Sequence, residues 1–215
     1  MAVATLGADW ALDWMQRSAK AVNENRDELI RLDRAIGDGD HGDNLDRGFR
    51  AAIDDLVTAS PDGPGEVFKL VAMSLMSKVG GAAGPLYGSV FLKGSKAVDG
   101  NGELDGTGLA EMLAASLAGL QARGKATTGE KTMVDAWTPA VEAAKAAAAE
   151  GKAPAEVLRA AAAAAAEGSD ATIPMVATKG RASYLGERSA GHRDPGSQST
   201  ALILAAAAEA AESLG

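Results

Sequence analysis

Asp33, Asp38 and Asp40, with His41 immediately after, are packed into the run LDRAIGDGDHGDNLDRG. Three carboxylates within eight positions, interrupted by Gly37 and Gly39 and followed by Gly42, are poor material for a helix and good material for holding a hard cation. Like charges this close need a counter-charge, and only Arg34 and Arg47 flank the run. A bound divalent metal ion is the most economical one. The plainer alternative is a solvated acidic turn in which Asp40 or Asp43 caps the following helix. Capping asks for one short polar residue rather than three carboxylates spaced by glycines, so the metal reading is preferred.

Three other interruptions carry chemistry. GGAAGPLYG, Gly80 to Gly88, opens a predicted helix; its small residues let a ligand approach the backbone, and the free N–H groups of a first turn favour an anion such as phosphate. Close packing alone would also use such a sequence. GKATTGEKTM, Gly124 to Met133, almost spells a P-loop, but Glu130 separates Gly129 from Lys131 and the segment follows a helix rather than a strand. The P-loop reading is rejected, which leaves backbone donors and Thr132 at the mouth of a helix. Thr178 to Gly196 holds Lys179, Arg181, Arg188, Arg193 and His192 and almost no aliphatic residue. It is a disordered linker or a loop folded over a charged ligand. Both histidines of the chain, His41 and His192, fall in these interruptions, which points to ligand contact more than to packing.

The elements that must position these loops are helical. Leu29, Leu32 and Ile36, then Leu45, Phe49, Ile53 and Leu56, recur at spacings of three and four, each set an apolar helix stripe. Alternating strand patterns are almost absent. Between Gly- and Pro-rich breaks, the pattern predicts helices over about 8–23, 26–35, 41–59, 65–79, 84–98, 106–123, 132–150, 154–168 and 197–214. The fold expected is an all-α bundle of about eight long helices joined by short turns. The alanine runs 146–149 and 160–166 read as closely packed helix without further function. Trp10 and Trp14, one turn apart, read as core or subunit-contact residues rather than a ligand platform.

At 215 residues and 47% hydrophobic content, residues 1–215 are expected to form a single domain. A net charge of −8 argues against nucleic acid, so an anionic ligand would need metal ions or local backbone donors. Without cysteine there is no disulfide or thiolate chemistry. The N-terminal segment lacks a basic stretch and meets Asp9 and Asp13 early, which is unlike a signal peptide, and no apolar run reaches the length of a membrane span. A cytoplasmic protein with no membrane partner is expected.

GDGDHGDNLDRG, GGAAGPLYG, GEKTMVDAWTPA and KGRASYLGERSAGHRDPG, in this order and spanning nearly the whole chain, resemble the nucleotide-binding L subunit of dihydroxyacetone kinase, a module that also forms the C-terminal domain of single-chain ATP-dependent enzymes. The resemblance implies a barrel of eight antiparallel amphipathic helices with the nucleotide bound among the loops at one end. It implies that Asp33, Asp38 and Asp40 coordinate two Mg²⁺ ions bridging to the phosphates of ADP or ATP, and that His41, Gly42, Asp43 and Asn44 lie near the phosphates. Ala82 and Ala83 fall at a phosphate-contacting helix start, Leu86 flanks the adenine, and Gly124, Thr132 and Met133 line the nucleotide pocket. Arg181 matches a nucleotide contact, and Asp194, Pro195 and Gly196 match the closing loop. Ala83 stands where members of the family commonly have serine, so a hydroxyl contact is lost while a backbone donor remains.

By the same resemblance the acceptor, dihydroxyacetone, is held on a histidine of a separate K subunit, so no catalytic base is expected in this chain and little kinase activity is expected of it alone. Two branches stay open: ADP held as a coenzyme and rephosphorylated by a phosphotransferase-system M subunit, or exchangeable ATP, with dihydroxyacetone or a related sugar such as erythrulose as acceptor. A free-standing chain with its own Met1 favours the first. Two readings from other classes are a nucleotide-state-dependent regulator that binds a transcription factor and, more weakly, a metal-dependent phosphatase. The sequence leaves a homodimer open.

Overall fold

Apolar stripes at spacings of three and four become helices throughout the computed structural model, which describes residues 5–214. Residues 1–4, on which the reading of the N-terminal segment partly rests, lie outside the described residues. The helices are α1 (Ala8–Glu24), α2 (Arg26–Ile36), α3 (His41–Ala59), α4 (Pro64–Lys78), α5 (Ala83–Ala97), α6 (Gly106–Gly124), α7 (Val134–Ala149), α8 (Pro154–Ala171) and α9 (Pro195–Ser213). The stretch expected as a loop before α9 contains 3₁₀ turns over Arg181–Ser189, broken at Gly186, whose φ is 55°. No strand forms among the described residues; Leu6 and Leu104 make one isolated bridge.

Helix boundaries follow local chemistry. Pro195 occupies the first turn of α9, where its missing N–H costs nothing, and Asp194 caps that turn by accepting from the Ser197 N–H at 2.6 Å. α7 starts at Val134 rather than at residue 132, because the Thr132 N–H is bound by the Asp135 carboxylate at 2.7 Å while the Thr132 hydroxyl accepts from the Val134 N–H at 3.2 Å.

Eight helices close a ring in the order α1, α3, α4, α5, α6, α7, α8, α9 and back to α1. The eleven-residue α2, expected at about 26–35, lies outside this ring against α3 and α9. Neighbours run antiparallel. Across α1 and α9, for example, the Trp10 indole donates to the Ala207 carbonyl at 3.1 Å and the Trp14 indole, one turn later, to the Ile203 carbonyl at 2.8 Å.

One continuous core fills the ring. Trp10 and Trp14 stack with centroids 5.2 Å apart and meet Phe68 edge-on, so they are core residues rather than a ligand platform. Ala161 and Ala165 turn inward on α8 with no exposed surface, and a side chain at Gly168 would strike the backbone of α7. The alanine-rich sequence therefore sets how closely α7 and α8 approach. Alternating helix directions put the N-termini of α3, α5, α7 and α9 at one end of the ring, together with the C-terminus of α2.

Candidate functional site

The acidic run folds at that end. Asp33, on the last turn of α2, is buried, and its Oδ2 accepts the backbone N–H groups of Asp40 at 2.8 Å and His41 at 3.1 Å. It thereby caps α3 from another helix. Asp40 occupies the N-cap position but makes no capping bond with its side chain, which leaves its carboxylate free. The connection needs its glycines: Gly39 has φ 78°, and a side chain at Gly37 would run into the Asp33 carboxylate. One oxygen each from Asp33, Asp38 and Asp40 lies within 4.8 Å of the others. The Arg181 guanidinium forms an ion pair with Asp38, so the cluster draws part of its counter-charge from the far side of the cleft. An all-carboxylate donor set of this spacing fits a hard divalent cation such as Mg²⁺.

Beside the cluster lies a cleft of about 200 Å³. Its walls bring together, from distant parts of the sequence, Asp33, Asp38, Asp40, His41, Ala82, Ala83, Leu86, Thr132, Met133, Arg181, Asp194, Pro195 and Gly196. Four helix N-termini meet here with their partial positive charge; side chains already bind N–H groups at the starts of α3, α7 and α9. The start of α5 has no side-chain cap and no acidic residue in its first turn. Carboxylates for a cation and helix ends for an anion thus share one opening, the combination a metal-bound phosphate requires.

Buried side chains hold these walls. The His41 Nε2 lies 2.9 Å from the Ser199 hydroxyl, which is 2.6 Å from the Tyr87 hydroxyl; Thr200 lies 3.2 Å from the same tyrosine. This chain ties the start of α3 to α9 and α5. Burial lowers the His41 pKa to about 4 against the opposing pull of Asp33 and Asp40, which keeps the imidazole neutral near pH 7. Burial raises the Tyr87 pKa, so the phenol stays protonated. Burial also pushes Asp194 up to about 7, opposed by its hydrogen bond from Ser197.

Gly42, Asp43, Asn44 and Gly124 do not line the cleft. Gly42 allows α3 to cross the backbone of Arg26, where a Cβ would collide with a carbonyl. Asp43 accepts from the Arg26 Nε at 2.7 Å and faces an open groove of about 640 Å³ along α1 and α3, whose Arg26 and Arg50 are paired with Asp43 and Asp46. Asn44 is buried, accepts from Arg47 at 2.5 Å and lies against Gly80 and Gly81. Gly124 sits behind Leu86. Conversely, Ile36, Gly81, Lys131, Lys179, Gly180 and Ala182 line the cleft without having been singled out as site residues. Lys179 and Gly180 adjoin Arg181 in the same basic stretch, but Lys131 was set aside with the P-loop reading.

The DAK2 domain matches residues 35–209. The chain belongs to the DAK2 domain family. It is 45% identical over 199 residues to the PEP-dependent dihydroxyacetone kinase 1, ADP-binding subunit DhaL, of Listeria innocua, covering 93% of this chain and 94% of the relative. The PEP-dependent dihydroxyacetone kinase ADP-binding subunit DhaL of Escherichia coli is 38% identical over 201 residues, covering 94% of this chain and 96% of that one. The crystal structure of the dihydroxyacetone kinase of C. freundii matches 97% of the DAK2 chain with a TM-score of 0.71 and 24% identity, a likeness of fold. The chain spans about a third of that larger protein, 35% of its length. This DAK2 protein is a kinase subunit, and its helical ring is the fold of the family. No helix among its described residues is long and apolar enough to cross a membrane.

Proposed function

We propose that this chain is the ADP-binding subunit of a dihydroxyacetone kinase, passing a phosphoryl group from Mg²⁺-bound nucleotide to dihydroxyacetone held on a separate K subunit. The observation that carries the reading is the convergence of the Asp33, Asp38 and Asp40 carboxylates with four helix N-termini in one cleft. Such a site can hold a polyanion on a chain of net charge −8. Asp33, Asp38 and Asp40 are the residues that would hold the two Mg²⁺ ions. Bound there, the metal ions would neutralise phosphate charge and align the transferring group.

The chain's own residues do the rest. Asp33 spends one oxygen on the start of α3, fixing the loop so that Asp38 and Asp40 face the cleft. The first turn of α5 supplies backbone donors, and Arg181 brings a cation that can follow phosphate charge. Leu86, Ala82, Met133 and Gly196 offer the apolar wall a base needs. None of these residues is a base for the acceptor hydroxyl. His41 is neutral but hydrogen-bonded to Ser199, in keeping with an acceptor activated on the partner.

We further infer that ADP stays bound and is rephosphorylated by a phosphotransferase-system M subunit. Support comes from relatives that match along 94% and 96% of their own length and are named PEP-dependent. The test is to mix the chain with its K subunit and dihydroxyacetone. Turnover is expected when the phosphotransferase proteins and phosphoenolpyruvate are added; rapid, repeated turnover on ATP alone would assign exchangeable ATP instead.

A further inference from the structure

Lys131, in the segment that nearly spells a P-loop, is almost fully buried at 1% exposure and adopts a left-handed backbone, φ 62°. Its ammonium lies 2.5 Å from the Thr172 carbonyl and 3.3 Å from the Ile173 carbonyl, at the end of α8, and bonds the His192 carbonyl just before α9. An ammonium has three N–H donors, and here each has a carbonyl acceptor. None remains for a phosphate. The carbonyls belong to the two roots of the segment 173–193, which are also held at Gly191 N–H to Ile173 carbonyl, 2.8 Å.

Between the roots, the Thr178 N–H bonds the Glu130 carbonyl of the α6–α7 loop at 3.4 Å. Ala177 and Ala182 pack on Ile36 of α2 in a small apolar cluster separate from the main core, while Tyr184 is 88% exposed. Arg181, which pairs with Asp38, rides on this segment, and Asp194 adjoins its second root. The loop that holds Lys131 is itself ordered by Asp135, which accepts the Gly129 N–H at 2.5 Å and the Thr132 N–H at 2.7 Å.

We propose that Lys131 is a positioning residue, a staple that joins both roots of the segment 173–193 to the α6–α7 loop and so holds Arg181 and Asp194 over the acidic cluster, without itself binding phosphate. Burial lowers its pKa, opposed by Asp194 and Asp135. The role in nucleotide binding rests on the function proposed above; the staple does not.

The test begins on the nucleotide-free protein, wild type and Lys131→Met, by amide hydrogen exchange. In the variant, amides of 173–193 are expected to exchange about tenfold faster or more while those in the middle of α4 and α5 keep their rates. Unchanged exchange in 173–193 overturns the staple, whatever the nucleotide does. ADP affinity is then expected to fall about tenfold, as a ligand that must first order the segment would show. Faster exchange without any ADP binding to the wild type would leave the staple standing and overturn the function reading alone. Should Lys131→Met not fold, the wild type decides through the ¹⁵N signal of the Lys131 ammonium. A slowly exchanging signal that does not move when Mg²⁺ and ADP are added is expected; a large shift with coupling to phosphorus would make Lys131 a phosphate ligand and overturn the proposal.

Discussion

The two ends of the ring start from the same backbone electrostatics and finish with opposite chemistry. Among the described residues, α1, α4, α6 and α8 begin at one end and α3, α5, α7 and α9 at the other. Carboxylates meet helix starts at both ends, Asp33 and Asp194 capping α3 and α9 beside the cleft, but at the first end they form no cluster among the described residues. Asp105 accepts the Gly108 N–H at 2.8 Å, Glu156 the Ala153 N–H at 3.1 Å and Glu66 the Asp62 N–H at 3.3 Å, while Asp9 sits in the first turn of α1. At the cleft end, carboxylates are drawn together by glycines into a cluster, α5 is uncapped, and Lys179 and Arg181 arrive on a long connection. Helix N-termini alone therefore do not make an anion site; what sets the cleft end apart is a carboxylate cluster for a cation beside the uncapped start of α5 and basic side chains.

Mutations should separate the two ends from each other and from the core between them. The largest effect is expected from Trp14→Ala, midway along the ring. Losing a stacked, hydrogen-bonded indole should cost about 3–5 kcal/mol of unfolding free energy in urea titrations. A cost under about 1 kcal/mol would remove the shared core from the account. Next comes Asp38→Asn at the cleft end, expected to weaken Mg²⁺-ADP binding by about a hundredfold in calorimetry, at least the loss seen when a metal ligand's support is removed. Helical content by circular dichroism should not change. ADP bound as tightly as by wild type would contradict the metal assignment.

Asp105→Ala, at the opposite end, should cost about 1 kcal/mol of stability through loss of a cap and leave ADP affinity untouched. A comparable loss of affinity would mean that the ends are not independent. The subtlest effect is in pH dependence. Asp194 titrates at about 7 in the folded chain against 3.8 ordinarily, so the folded state favours its protonated form. Its contribution to stability is complete below about pH 4 and is lost as pH rises through about 7. The urea midpoint of the nucleotide-free protein should thus fall more between pH 5 and pH 8 in wild type than in Asp194→Asn, which keeps an N-capping side chain. Parallel pH profiles would contradict the shift.

The helices were legible because their apolar spacing is local information, and the all-α fold followed from it. That α2 stands outside the ring was not, since its stripe of Leu29, Leu32 and Ile36 looks like that of any ring helix. The acidic run announced itself because glycines between carboxylates have few other uses. Its inner logic, Asp33 capping α3 so that Asp40 need not, depends on a tertiary contact that no spacing reveals. Asp43 could have been set aside from the sequence: two residues beyond His41 on a helix, it faces nearly the opposite way. Lys131 was passed over with the rejected P-loop reading, because its carbonyl partners at residues 172, 173 and 192 are distant in sequence.

If nucleotide is held at the cleft end through metal ions on Asp33, Asp38 and Asp40, its affinity must depend on Mg²⁺. The most direct test is the affinity of the wild-type chain for ADP, measured by calorimetry in Mg²⁺ and again in excess EDTA. Tight binding with Mg²⁺ and a loss of about a hundredfold or more without it are expected. Equal affinity in the two conditions would contradict binding through metal ions.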